Sequence, residues 1–227
     1  MSKEQELYDQ VNRLKWHTHS QDESTNQTGW IPSPLTWTYA SASTFTVAGD
    51  QRAIFQKGTL LKFTQTSVKY AVVASSSYSS PNTTVTIVVN TTYTIANATI
   101  TAPYYSYQAN PQGWPASFAF TPTITAGTGT FTTVSASGSL NVVGRMAFVT
   151  VTITITTNGT AATSVIASLP ITSAALAIFS GRENAVTGVM LQGRLVASDT
   201  SLNIFKYDNA YPGGTGYVIY VSGSYLI

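Results

Sequence analysis

His17 and His19, in the run Trp16-His17-Thr18-His19, are the residues best suited to metal binding in this chain of 227 residues, which has no other histidine. They follow a short segment whose pattern predicts a helical bundle. If three copies run side by side there, six imidazoles meet on one axis. Six neutral nitrogen ligands favour an octahedral divalent ion such as Fe(II) or Ni(II) over tetrahedral zinc. The alternative is a pair of unliganded histidines in a solvated tether.

The bundle is predicted from three apolar residues at spacings of four and three. Leu7, Val11 and Leu14 recur in this way within residues 3–16, among Lys, Glu, Gln and Asp side chains, as a coiled-coil seam requires. A helix this short is marginal in water and needs packing to persist. We therefore predict a short N-terminal α-helix that trimerises through these three residues. The alternative is an amphipathic helix lying on its own domain.

The composition excludes several classes of function. Cysteine is absent, which excludes disulfides, thiolate metal sites and cysteine nucleophiles. Only 9% of the residues are charged, the formal net charge is +2 and no basic run exists, so no nucleic acid partner is expected. Charged residues interrupt any secretory signal at the N-terminus, which predicts synthesis in a cytoplasm. No apolar stretch reaches about 18 residues, so membrane insertion is not expected.

The remainder of the chain predicts an all-β protein with two folded regions. Short strands with two-residue alternation begin after residue 29, and the prolines and glycine of Asn110–Pro115 mark a boundary. Beyond it the strongest strand runs from Arg145 to Thr157, with valine and isoleucine on one face and threonine on the other. About eight strands in this part suggest a jelly-roll-like β-sandwich.

The pattern divides the chain into three parts. Residues 1–28 are predicted to form a helix and tether for trimerisation and attachment, residues 29–115 a small β-domain, and residues 116–227 a C-terminal β-sandwich head domain. Within the last part, Val186–Leu191 is predicted as a strand, and the glycine-rich Thr125–Thr130 as a hairpin turn.

One long loop of the C-terminal part combines aromatic rings with hydrogen-bonding groups and glycines. Such a mixture can stack on a sugar and bind its hydroxyls, and loops on a rigid sandwich commonly carry recognition. The predicted glycan-binding residues are Tyr207, Asp208, Asn209, Tyr211 and Tyr217. The alternative is that the tyrosines pack between subunits or cover the end of the sheet.

Few side chains could support catalysis. Because histidine is confined to the tether, a Ser-His-Asp arrangement would require that segment to fold back onto a serine. A glycan depolymerase needs two carboxylates flanking a glycosidic bond. The folded parts offer Asp50, Glu183, Asp199 and Asp208; the first and last lie in turn contexts, and Glu183, beside Arg182, indicates an ion pair or a loop residue. We predict that the chain is not an enzyme.

Several motifs between residues 29 and 115 resemble a small β-domain that recurs in phage tail and baseplate proteins. The motifs are Gly29-Trp30-Ile31-Pro32, Trp37–Asp50, Phe55–Gly58, Leu61–Gln65, Lys69-Tyr70 and Pro103–Ser106. Residues 116–227 are similar to tail-fibre head domains in their strand pattern and their Thr/Ser/Gly composition.

The resemblance implies a homotrimeric virion protein of the tail or baseplate, made in the host cytoplasm. Its partners would be other phage tail or baseplate proteins and a host cell-surface glycan. Similar tail fibres bind iron on the threefold axis through His-X-His motifs, which implies iron, or another octahedral divalent metal, at His17 and His19. The alternative is a structural virion protein, such as a baseplate, collar or capsid-attached fibre, that holds other virion components. A glycan depolymerase is a third class.

Overall fold

The computed structural model describes residues 28–88 and 93–227, and every regular element in these ranges is a β-strand. The all-β fold class is thereby confirmed for the described residues. The predicted helix with Leu7, Val11 and Leu14 lies outside them. None of the described residues belongs to a helix that could span a membrane.

The first sheet is built from seven antiparallel strands. They are β1 (Ile31–Pro32), β2 (Thr38–Ser41), β3 (Thr44–Ala48), β4 (Leu60–Thr64), β5 (Val68–Ser79), β6 (Asn82–Val88) and β7 (Thr101–Ser106). Their order in the sheet is β1-β7-β4-β5-β6-β3-β2. Three of the six neighbouring pairs, β4-β5, β5-β6 and β2-β3, are consecutive in sequence, and β7 is inserted between β1 and β4.

Strands β4 and β5 are covered on both faces, so their apolar residues run consecutively instead of alternating. Leu60 and Val72 belong to a core that is shared with the second sheet. Leu61 belongs to a separate core on the other face, together with Trp37 and Phe45. The last two rings stack with their centroids 4.4 Å apart.

The second sheet has nine antiparallel strands. They are β8 (Phe118–Phe120), β9 (Ile124–Thr128), β10 (Thr133–Val143), β11 (Met146–Thr157), β12 (Ala162–Ser168), β13 (Ala177–Glu183), β14 (Met190–Leu195), β15 (Ser201–Lys206) and β16 (Tyr217–Leu226). Their order is β8-β10-β11-β16-β13-β14-β15-β12-β9. Inward side chains from every one of these strands pack into a single hydrophobic core, so the sheet curls around it.

Strand β11 has the alternation that its sequence predicts. Val149, Val151, Ile153 and Ile155 are buried, and the intervening threonines lie on the outer face. The strand prediction is confirmed. Its basis was that a period of two over this length is compatible only with one buried sheet face.

Two local predictions for the C-terminal part are wrong. Thr125–Thr130 is not a hairpin turn, since β9 occupies Ile124–Thr128 and pairs with β12. A Cβ at Gly127 would lie 2.6 Å from Oγ of Ser164, so this glycine permits close approach of β12 instead of marking a turn. Val186–Leu191 is not a continuous strand either, because β14 begins at Met190 and a loop precedes it.

An aromatic cluster joins the two sheets. The ring of Trp114 stacks on Phe118 at 6.0 Å and lies 6.2 Å from Trp30 and 5.7 Å from Tyr70, measured between ring centroids. Trp30 Nε1 also donates a 2.7 Å hydrogen bond to the carbonyl of Gln112. The segment between β7 and β8, which contains Trp114, therefore packs against residues of both sheets.

Candidate functional site

The tip of the predicted glycan-binding loop, between β15 and β16, is a closed turn. Its ends are joined by hydrogen bonds of 2.9 Å from the Lys206 N–H to the Ala210 carbonyl and 3.0 Å from the Asn209 N–H to the Lys206 carbonyl. The Asp208 carboxylate accepts the Ala210 N–H at 3.0 Å. Tyr207 is 72% exposed on this turn. One aromatic ring thus stands in solvent beside two polar side chains.

Gln192, which the sequence did not single out, holds this turn from the neighbouring strand β14. Its Nε2 donates to Oδ1 of Asn209 at 2.9 Å and to the Lys206 carbonyl at 3.2 Å. Asn209 has a φ of +64°, a conformation that asparagine tolerates better than most residues. No local signal could have identified Gln192, because its contact depends on the pairing of β14 with β15.

Tyr211 and Tyr217 form the base of the loop, not its tip. The Tyr211 ring is half-buried, and its hydroxyl donates to Oδ1 of Asn158 at 2.6 Å. Burial raises the pKa of Tyr211, and the hydrogen bond with Asn158 offsets part of that rise. Tyr217 packs against the core beside Gly214, where a Cβ would lie 2.6 Å from the ring. The structure therefore brings together Tyr207, Asp208 and Asn209 and places the two other predicted residues beneath them.

A second surface lies on the outer face of β10, β11 and β16, and we call it the uncharged face. These three adjacent strands contain no Asp, Glu, Lys or Arg. Its outward residues are Ser135, Ser137, Ser139, Asn141 and Val143 from β10, Met146, Phe148, Thr150, Thr152 and Thr154 from β11, and Tyr220, Ser222, Ser224 and Leu226 from β16. Phe148 and Tyr220 are each 48% exposed.

A shallow groove of about 440 Å³ runs across the uncharged face. Its floor includes Ser139, Phe148 and Ser222, one from each of the three strands. Ala116 and Ser117, just before β8, form its rim. The groove therefore offers hydroxyl groups and one aromatic ring, with no ionisable group among its lining residues.

No family model, curated protein or solved structure matches this chain. Two surfaces of the described residues are candidates for binding, the loop tip around Tyr207 and the uncharged face. The loop tip combines an exposed ring with a carboxylate and an amide. The uncharged face combines exposed apolar side chains with neutral hydroxyls.

Glu183 is a buried carboxylate that organises the loop between β13 and β14. Its side chain has no exposed surface, and its oxygens accept the N–H groups of Ala185, Val186, Thr187, Gly188 and Val218 and the hydroxyl of Thr187. Burial raises the pKa of this carboxyl, but the hydrogen bonds outweigh it and bring the pKa to about 2. Both predictions for Glu183 are wrong, because it is the last residue of strand β13 and forms no ion pair with Arg182; it is the loop after it that its carboxylate binds.

The other carboxylates of the folded parts also serve their local backbone. Asp50 forms the one ion pair found in the described ranges, with Arg52 at 2.7 Å. Asp199 accepts the N–H groups of Thr200 and Ser201, and the latter contact lowers its pKa. Within residues 28–88 and 93–227 no three His, Cys, Asp or Glu side chains gather as metal ligands. His17 and His19 lie outside the described residues.

Proposed function

We propose that this chain is a non-enzymatic, homotrimeric phage tail protein that binds a host surface glycan through residues 116–227. The observation that carries the proposal is the uncharged face, on which three adjacent strands that contain no charged residue expose Phe148, Tyr220 and Leu226. Exposed apolar patches mark interaction sites, and the centres of protein interfaces are depleted of charge. Such a face suits a protein that works by assembly.

The head is proposed to be a jelly roll, with residues 1–28, 29–115 and 116–227 as its attachment segment, small β-domain and head. Three nested pairings support this architecture: β11 with β16, β12 with β15, and β13 with β14. A long hairpin ribbon that folds back on itself produces such nesting. A rigid head of this kind presents its loops at fixed positions.

Glycan binding is assigned to the loop tip. Tyr207 can stack on the apolar face of a sugar ring, while Asp208 and Asn209 lie within the same turn and can bind hydroxyls. Tyr211 and Tyr217 support the tip from the core side. In a trimer, three weak sites would act together, because the second and third contacts become intramolecular.

A metal on the threefold axis belongs to the same proposal. Six imidazoles from His17 and His19 of three chains would hold iron or another octahedral divalent ion. The ion would link the three chains at their attachment end. Elemental analysis of an untagged preparation tests this, with about one ion per three chains expected for six imidazoles around one octahedral ion. Metal far below that ratio would contradict the site.

A structural virion protein is the second candidate. In a baseplate, collar or capsid-attached fibre, the uncharged face would be covered by other virion components and the loop tip would contact no receptor. A depolymerase is the third, and the local engagement of Asp50, Glu183 and Asp199 by their own backbone or neighbours argues against it.

Light scattering and a glycan array on the full chain test the proposal. A 24.2 kDa chain should behave as a trimer at micromolar concentration, and the trimer should bind a defined set of glycans. A well-folded monomer would overturn the proposal. A trimer that binds no glycan, but that a particle reconstruction finds buried among other proteins, would favour the structural candidate.

A further inference from the structure

We infer that the uncharged face is the surface through which copies of this chain join. This inference rests on the proposed function, since it names the partner of that trimer as the same face of a second and third copy. The loop tip around Tyr207 belongs to none of the three strands of the face, and Tyr207 is exposed.

The side chains of the uncharged face form rows whose removal from water would cost little free energy. Val143, Met146 and Leu226 are direct neighbours in register, and they form an apolar row at one end. Ser139, Thr150 and Ser222 form a hydroxyl row nearer the middle.

Two of the three hydroxyls in that row already form a hydrogen bond with each other. The hydroxyl oxygens of Ser139 and Thr150 lie 3.0 Å apart and share a hydrogen bond. Burying a polar group costs free energy only when it lacks a partner, and no charge has to be removed from water on these strands. The face is therefore suited to burial against a protein surface.

The lack of charge also restricts the kind of partner. On the three strands themselves a nucleic acid or a strongly charged protein would gain no electrostatic attraction, and the charges that border the face are Arg182, opposite Tyr220 on β13, and Arg145, next to Met146. An equally uncharged surface is the best complement, and another copy of the chain supplies one. Side chains from neighbouring copies can then meet their own kind around the symmetry axis.

The point at which the N-terminal segment joins the described chain favours a second copy as the occupant. The Thr28 carbonyl, where the described chain begins, accepts a 2.8 Å hydrogen bond from the Gln112 N–H. Ala116 and Ser117, a few residues further on, form the rim of the groove. Residues 1–27 therefore join the fold at Thr28, which is hydrogen-bonded to a residue four positions before Ala116 of the groove. If Leu7, Val11 and Leu14 form a bundle, they hold the faces of the copies at high effective concentration.

Single-cysteine cross-linking tests the arrangement directly, because the chain has no native cysteine. Ser222→Cys places a thiol at the centre of the face, and Ser67→Cys places one on the exposed β4–β5 turn as a matched control. With a short bismaleimide, Ser222→Cys should give covalent dimers, the largest product that one thiol per chain and a two-armed reagent allow. Ser67→Cys should stay monomeric on a denaturing gel.

A charge variant provides the second measurement. Phe148→Glu introduces a carboxylate on the face, and Val68→Glu does the same at an exposed apolar residue of the first sheet. We expect Phe148→Glu to raise the apparent dissociation constant of the trimer by about 30-fold or more, the effect of losing an interface anchor. Val68→Glu should leave it unchanged. Circular dichroism checks that both variants are folded, and if Phe148→Glu is not, the cross-linking result decides.

The outcomes separate this inference from the proposed function. If the wild-type chain is trimeric but Ser222→Cys does not cross-link and Phe148→Glu still trimerises, the uncharged face is not the interface. The proposed trimer is then unaffected. A monomeric wild-type chain would overturn both. A cross-link between Ser222→Cys and a cysteine placed at Leu7 of the same chain would show that the N-terminal segment covers the face in cis, and would also overturn the inference.

Discussion

The hydroxyl of Tyr211 donates a 2.6 Å hydrogen bond to Oδ1 of Asn158, which lies 53 residues earlier in the chain. Asn158 in turn donates through Nδ2 to the Ala161 carbonyl at 2.9 Å and through its backbone N–H to the Thr215 hydroxyl at 3.1 Å. The base of the loop between β15 and β16 is therefore fastened to the turn after β11. The residues that display Tyr207 are held in place by a distant part of the sequence.

Tyr211→Phe should lower the free energy of unfolding by about 1 kcal/mol, because it removes this bond and leaves Oδ1 of Asn158 without its partner. Chemical denaturation measures the change. Tyr207→Phe is the matched control, since it removes a hydroxyl from a residue that is largely exposed. Equal stability of the two variants would show that the bond contributes nothing.

Tyr207→Ala should weaken glycan binding by about tenfold per site, the free energy of one aromatic contact. Tyr211→Phe should bind as the wild-type chain does, because its ring stays in the base of the loop. Isothermal titration with the glycan identified on the array gives both values. Retained binding in Tyr207→Ala would move the site away from this loop.

Glu183 should make stability depend on pH in the acid range. Its pKa is about 2 in the folded chain against an ordinary value of 4.5. Because the folded pKa is the lower one, the contribution is fully present above about pH 4.5 and is lost as the pH falls towards 2. The difference between the two pKa values corresponds to about 3 kcal/mol.

Glu183→Gln should therefore lower stability by about 3 kcal/mol at pH 7 and flatten the pH dependence in this window. Thermal unfolding at a series of pH values measures both. Thr187→Val is the control, because it removes the one side-chain donor and keeps the carboxylate with its backbone donors. A Glu183→Gln variant with the slope of the wild-type chain would assign the acid sensitivity to other groups.

Gly58→Ala should disturb the contact between the two sheets. Gly58 has a φ of +84°, and a Cβ there would lie 2.9 Å from the carbonyl oxygen of Gly144 in the β10–β11 turn. Gly144→Ala is a matched control, since that residue has a φ of +60° but nothing within 4 Å of an added Cβ. We expect a loss of about 1 kcal/mol for Gly144→Ala from the left-handed backbone alone, and about 2 kcal/mol or more for Gly58→Ala. Similar losses in equilibrium unfolding would mean that the sheets do not press on each other here.

The local sequence pattern was sufficient to predict a strand where one face of that strand is buried and the other faces solvent. Strand β11 is the clearest example, because its alternation of Val or Ile with Thr is a property of consecutive residues. The same reasoning failed at Thr125–Thr130, where Gly127 accommodates Ser164 of a neighbouring strand, and at Val186–Leu191, whose first three N–H groups bind the Glu183 carboxylate. In both places the deciding contact comes from a group outside the local pattern.

The candidate site was likewise predictable from the sequence only in part. From its sequence alone, the chain is an all-β protein without cysteine and with few charges, and Tyr207 to Tyr217 form a loop rich in aromatic and polar groups. Only the tertiary structure decided that Tyr207 faces solvent while Tyr211 faces Asn158, and that three uncharged strands lie side by side as one face. Composition and periodicity are properties of neighbouring residues, whereas exposure and strand order depend on which distant segments pair when the sheet closes around its core.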